Sequence, residues 1–380
     1  MQPASMSLRA KTLWLTALLL MAAAYVSRRL ATSAEWQQLS AARFWENLIQ
    51  VRFSYLLLAA AFVFLSYFFR SLRWQQFLPP THRGNLGNLF SATLIGFSAL
   101  ALLGRPGEAV RPVLIAHKEG VSVSSQAAAW ALERVFDSLT LGTLLGTALL
   151  WLPPGGVSGA NHAELMTSWR RAGMVLWGGA LLTTLLLVQL RHRPQWTFGV
   201  VDRVLRPLPK RHRKTLHRLL ENFSEGLASL GSLSRLASCA AISLLVWMAV
   251  LLAYWSVTRS LGEPLNQLPL TAVVVVMGAG GVGSLAHLPG IGGGTQVATA
   301  LTLTKLFGIP LALATSAALW LWALTFLLVL IPGLPLATHE GLNWQRLRRL
   351  AKEEADVQGP ASLYSTEGGT DGQIDKQITG

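Results

Sequence analysis

The sequence predicts an all-α polytopic membrane protein with about six spanning helices, two re-entrant hairpins and an element order that allows an inverted-topology repeat. Three observations carry this. Of 380 residues, 52% are hydrophobic and only 13% are charged, about half the usual charge density of a globular domain. Apolar stretches recur at lengths near the roughly 17–25 residues that a span needs. The 32 Lys and Arg against 18 Asp and Glu fall unevenly along the chain, as they do when successive loops lie on opposite sides of a membrane.

The first span falls at 13–26. Arg9 and Lys11 ahead of it also suit a signal peptide, but Arg28 and Arg29 directly after it fit the end of a span better. The segment 53–69, FSYLLLAAAFVFLSYFF, has no charge. Next comes 86–103, apolar but interrupted by Gly and Ser, then LLGRPGEAVRPVL at 102–114, so 86–125 reads as a hairpin that enters and leaves by one face. Spans follow at 127–150, 172–190 and 236–258. A second interrupted stretch, 270–308, broken at LPGIGGG, is the second hairpin, and 311–331 closes the series.

Basic residues set the orientation. The loop 191–218 carries Arg191, Arg193, Arg203, Arg206, Lys210, Arg211, Arg213, Lys214 and Arg218 against the single acid Asp202, so it is cytoplasmic. The tail has Arg346, Arg348, Arg349 and Lys352 and shares that side, while 259–269 holds only Arg259 and lies outside. Two hairpins then satisfy the parity of crossings and place both termini in the cytoplasm. Arg28, Arg29, Arg43 and Arg52 in the outer loop 27–52 count against this arrangement.

The order span, span, hairpin, span occurs twice, in 8–152 and 172–331, inside an integral membrane domain of 1–335. Gly104, Glu108 and Gly120 have the spacing of Gly292, Gln296 and Gly308, offset by 188 each time. The segment 336–380 is a basic and then disordered tail. Within the cytoplasmic loop 191–235, Leu216, Leu219, Leu220, Phe223, Leu227 and Leu230 recur at helical spacing. This reads as an amphipathic helix on the inner leaflet, with Lys210, Arg211, Arg213, Lys214 and Arg218 as an anionic-lipid surface. The same cations serve equally as a topology signal. No recognition motif for nucleic acid accompanies them.

Residues 273–283, VVVVMGAGGVG, contain the Gly-x-Gly-x-x-Gly spacing of a dinucleotide fold. The acidic partner expected about 20 residues on is missing, since the next acid after Glu263 is Glu340. The stretch therefore reads as the descending limb of the second hairpin. One cysteine, Cys239, and eight histidines without H-E-x-x-H spacing predict neither a disulfide nor a metal site, and no cofactor is expected.

Charge at membrane depth marks the candidate site. Glu133, Arg134 and Asp137 in WALERVFD occupy one arc of a helix, with Asp137 placed to pair with Arg134. Arg105, Glu108 and Arg111 are spaced three apart, and Pro106 suits the first turn of a helix that starts near Gly104. Such a helix start, with two arginines, would accept a phosphate-sized anion. Two readings stay open: the arc locks helix packing as a buried ion pair, or it lines a path for a polar headgroup. In the second hairpin Gly290, Gly292, Gly293 and Gln296 present bare backbone and an amide, which suit close packing or a ligand.

The GRPGEAVRP run, the LERVFD run some 25 residues later and the late Pro-Gly-rich turn together resemble the flippase-like transmembrane region of the lysylphosphatidylglycerol synthase family, in the form that stands alone without the synthase. The family usually has Glu at the end of that turn, where this chain has Gln296. The resemblance implies an inner-membrane protein of bacterial type that moves an anionic phospholipid or polyprenyl-type lipid between leaflets, with no aminoacyl transfer and no enzymatic activity of its own. Its implied partners are membrane lipids and a separately encoded lipid-modifying enzyme. The alternative function is an accessory subunit, or an enzyme acting on a lipid-linked substrate, but neither nucleophile nor metal motif supports catalysis.

Overall fold

A computed structural model describes residues 41–79, 84–153, 162–192, 232–288 and 292–341, with isolated positions at 82, 195, 199 and 203. The expected span at 13–26, the amphipathic stretch from 214 to 231, the lipid-facing cations from Lys210 to Arg218, Gly290 and the tail beyond 341 lie outside the described residues.

The protein is an all-α polytopic membrane protein. Its helices are α1 (Ala41–Ile49), α2 (Phe53–Phe77), α3 (Leu86–Leu103), α4 (Val110–Glu119), α5 (Val123–Trp151), α6 (His162–His192), α7 (Leu233–Ser260), α8 (Leu270–Gly283), α9 (Gly294–Phe307), α10 (Leu311–Trp322) and α11 (Leu330–His339). A two-residue β-bridge, His287–Leu288 with Gly292–Gly293, is the one exception among the described residues. Among the described residues five segments are long and apolar enough to cross a membrane: Phe53–Phe77, Leu86–Leu103, Met166–Leu190, Ser234–Ser260 and Leu311–His339. Four contain or closely match spans expected from sequence. The fifth, Leu86–Leu103, was expected as one limb of a hairpin. The expected span 127–150 lies within α5, whose 29 residues have the length to cross and carry the charged arc.

Local chemistry sets the boundaries. The Asn85 side chain caps α3 by accepting from the Gly87 and Asn88 amides, and Ser122 and Ser232 cap α5 and α7 in the same way. Gly104 turns the chain at φ 70°, a short 3₁₀ turn covers Arg105–Ala109, and α4 packs back on α3. A side chain at Gly107 would run into the Ala99 carbonyl, so only glycine lets this turn lie flat on α3. The open end is tied by Glu119, which accepts from the Asn85 amide (3.1 Å) and Asn88 Nδ2 (2.9 Å) and lies 2.9 Å from the His82 ring. Burial alone would raise the Glu119 carboxyl. The hydrogen bonds outweigh it and hold the group below the usual range.

The second helical hairpin is α8 and α9. The four valines of α8, Val273 to Val276, are all buried, which marks a helix enclosed on every side. Each limb has 14 residues, about 21 Å, short of the roughly 30 Å hydrocarbon core. Gly120 and Gly308, at φ 64° and 65°, end α4 and α9 with left-handed caps. The helical segment Leu311–His339 is displaced from Val123–Trp151 by 188 residues at both ends, the offset that separates the two glycine caps. A π turn at Ala323–Leu327 joins α10 to α11, and the Tyr67 hydroxyl donates to its Thr325 carbonyl at 3.0 Å.

Candidate functional site

Four helices bring charged or polar side chains to one point. Glu133 and Asp137 sit one turn apart on the same face of α5, with Glu133 fully buried. From α2, Arg73 Nη2 donates to Glu133 Oε1 at 2.6 Å and Nη1 to Asp137 Oδ1 at 2.7 Å. The same Nη1 reaches Ser243 Oγ of α7 at 2.8 Å, and that hydroxyl donates to the Cys239 carbonyl at 2.7 Å. Trp247, one turn further along α7, donates its indole N–H to Asp137 Oδ1 at 3.2 Å. Arg70 reaches Asp137 Oδ2 at 3.4 Å, and Arg134 reaches the same oxygen at 3.2 Å, as its i,i+3 spacing predicts.

Arg111 enters from α4. Its Nη2 pairs with Glu133 Oε2, and its guanidinium lies 4.4 Å from the Trp74 ring centre and 5.3 Å from that of Phe97. Gly96 of α3 lies under the Arg111 stem, where a side chain would collide with the arginine backbone and Cβ. That bare Cα lets α4 approach closely enough for the guanidinium to reach α5.

Four guanidiniums pair with two carboxylates here, and with Glu108 at the recess beside Arg111 and Arg134 the formal charge is +1. Arg73 Nε, Arg111 Nη1 and Arg134 Nε are buried without a hydrogen-bond partner. Buried polar groups are ordinarily satisfied, so each orphan asks for an explanation. Beside them lies a recess of about 30 Å³ lined by Gly96, Phe97, Leu100, Glu108, Arg111, Trp130 and Arg134. A space of that size holds a water molecule, so a headgroup enters only if the helices move.

Of the residues singled out in the sequence, Arg111, Glu133, Arg134 and Asp137 meet in the cluster, and Glu108 lines the recess. Arg105 stands apart from them. The spacing put it on one face with Glu108 and Arg111, yet its guanidinium donates to the Leu285 carbonyl at 2.9 Å. That bond joins the turn of the first hairpin to the turn of the second. Gln296 opens α9, Gly292 and Gly293 sit in the β-bridge, and none of them lines the recess.

Arg70, Arg73, Trp74, Ser243 and Trp247 were missed. A span ended at Phe69 leaves both α2 arginines outside the membrane, although their i,i+3 spacing in an uninterrupted helical pattern was visible.

A family model described as the lysylphosphatidylglycerol synthase TM region matches residues 10–333. No curated protein matches the chain.

Proposed function

Because the chain belongs to the family of lysylphosphatidylglycerol synthase transmembrane regions, a family tied to lipid modification and transport, we propose that it moves the phosphate headgroup of a phospholipid or polyprenyl-type lipid between the leaflets of a bacterial-type cytoplasmic membrane. The observation that carries this is Arg111. It is 5% exposed, its Nη1 is buried without a partner, and it borders a recess in a cluster whose net formal charge is positive. Buried cations in excess of their carboxylates suit an incoming anion, and guanidiniums bind phosphate with directed, charge-assisted bonds.

The hairpins support the same reading. The short limbs of α8 and α9 suit a re-entrant element, and broken helices at membrane depth form substrate paths in transporters. The shared 188-residue offset of two helical segments and two glycine caps supports an inverted-topology repeat. In this reading Arg111 and Arg134 take the phosphate and Glu108 faces the rest of the headgroup. Glu133 and Asp137 hold the arginines, while Gly292, Gly293 and Gln296 form the opposite turn. Gly290 and the inner-leaflet cations Lys210, Arg211, Arg213, Lys214 and Arg218 belong to it too, with both termini cytoplasmic, no aminoacyl transfer, and a lipid-modifying enzyme as partner.

Reconstituted protein in liposomes with fluorescent phospholipids is expected to speed leaflet exchange. Arg111→Ala/Arg134→Ala should fall to the protein-free rate, and Arg111→Lys, which keeps the charge, should retain part of the activity. Wild type at the protein-free rate defeats the transport reading, and a changed headgroup mass would favour a membrane-embedded enzyme.

A further inference from the structure

Threonine hydroxyls in these helices commonly return to the carbonyl four residues back, as at Thr140, Thr143, Thr183, Thr184, Thr315 and Thr325. Thr271 and Thr304 depart from this, and so do Thr295 and Thr299 of α9. The latter two are 6% and 1% exposed, and both hydroxyl oxygens are buried without a hydrogen-bond partner. Thr299 Oγ1 lies 3.2 Å from the point where a Cβ of Gly280 would stand, and the Tyr254 hydroxyl, from α7, lies 3.0 Å from the same point. Thr295, one turn earlier, borders it with its methyl at 3.5 Å. Two hydroxyls from different helices thus converge on one bare Cα of a third.

The chemistry of this point is neutral oxygen. Gly280 lies in the last turn of α8, the negative end of that helix. Thr299 lies beyond the first turn of α9, where the positive helix end has faded. The Gly280 carbonyl accepts the Ser284 amide and keeps a second lone pair. Hydroxyl and carbonyl oxygens beside a negative helix end suit a hard cation, and broken transporter helices coordinate ions in this manner. With no carboxylate among these residues to offset a double charge, the fit is to a monovalent ion. Among the described residues no cluster of His, Cys, Asp or Glu offers a competing metal site.

We propose that Tyr254, Thr299 and the main chain at Gly280 form a site for an alkali cation, buried where the two limbs of the second hairpin meet α7. This stands apart from the headgroup reading, since the site and the arginine cluster share no residue. A cation bound here would let an ion gradient bias the position of that hairpin.

The test is thermal unfolding of the purified full chain in detergent at constant ionic strength, with sodium, potassium or lithium chloride exchanged against choline chloride. One alkali cation is expected to stabilise the wild type saturably, shifting the unfolding equilibrium about 100-fold at 100 times its dissociation constant. Thr299→Val and Tyr254→Phe, which keep shape and remove the oxygen, should lose that response. Thr183→Val, at an exposed hydroxyl, should keep it. Identical wild-type curves in all four chlorides overturn the proposal even if the variants do not fold. So does a cation response that survives in Thr299→Val.

Discussion

Replacing Glu133 by glutamine tests the arginine cluster most directly. The side chain is fully buried and takes Arg73 on Oε1 and Arg111 on Oε2, with Arg134 at 3.6 Å. Glutamine keeps the shape and removes the charge, so Asp137 is left as the carboxylate paired with the arginines and the net positive charge rises by one. Breaking a buried pair by removing one partner costs about 3–5 kcal/mol, roughly 150- to 5,000-fold in the unfolding equilibrium constant. Arg134 supplies the contrast: its side chain is 43% exposed, and Arg134→Gln should cost no more than about 1 kcal/mol. Both are measurable by reversible unfolding in mixed micelles, followed by circular dichroism. A double-mutant cycle with Arg111→Met sharpens the test, because Glu133 is the only carboxylate Arg111 pairs with among the described residues. The double variant should be less destabilised than the sum of the singles by at least about 0.5 kcal/mol. Additive costs, or equal costs for Glu133→Gln and Arg134→Gln, would refute the claim that these ions act as one buried unit.

Three further outcomes are expected. Gly107→Ala places a methyl against the Ala99 carbonyl and should destabilise by about 1–3 kcal/mol or more, whereas Gly142→Ala, a helix position with nothing within 4 Å, should be neutral or stabilising by about 0.4–1 kcal/mol in the same assay. Glu119 has a lowered folded-state pKa, so its contribution is complete above the unfolded value of about 4.3 and fades as pH falls through the folded value. A pH series of unfolding should show wild type losing stability in that acid range and Glu119→Gln changing less. In a Cys239→Ala background, an impermeant thiol reagent should label Gly262→Cys from outside intact cells and Ser365→Cys only after permeabilisation; the reverse at either position would sink the proposed orientation.

Much of the fold was legible because membrane solvation acts locally: long uncharged runs such as 53–69 and 311–331 announce spans without knowledge of their neighbours. The breaks between α3 and α4 and between α8 and α9 were legible from glycine and proline punctuation, and the α5 arc from helical geometry. Arg70 and Arg73 were not. Their reason for lying in an apolar helix is a pair of carboxylates about 60 residues away, and nothing within α2 states that they have partners. The hydroxyls over Gly280 were hidden for the same reason. The GAGG run of α8 suggested only close packing, and Tyr254 and Thr299 reach it from helices that sequence spacing does not connect.

The two oxygens of Glu133 have separate tenants, and that matters for any anion that arrives. Oε1 belongs to Arg73, which ties α2, α5 and α7 together, while Oε2 belongs to Arg111 on the first hairpin. A phosphate oxygen that took the place of Oε2 on Arg111 would leave the three-helix tie intact. The guanidinium would be handed from one anion to another and never stand bare in the low-dielectric interior. Occupancy would then exchange like for like at a single joint, and the first hairpin could come away from α5 while the frame behind it stayed closed.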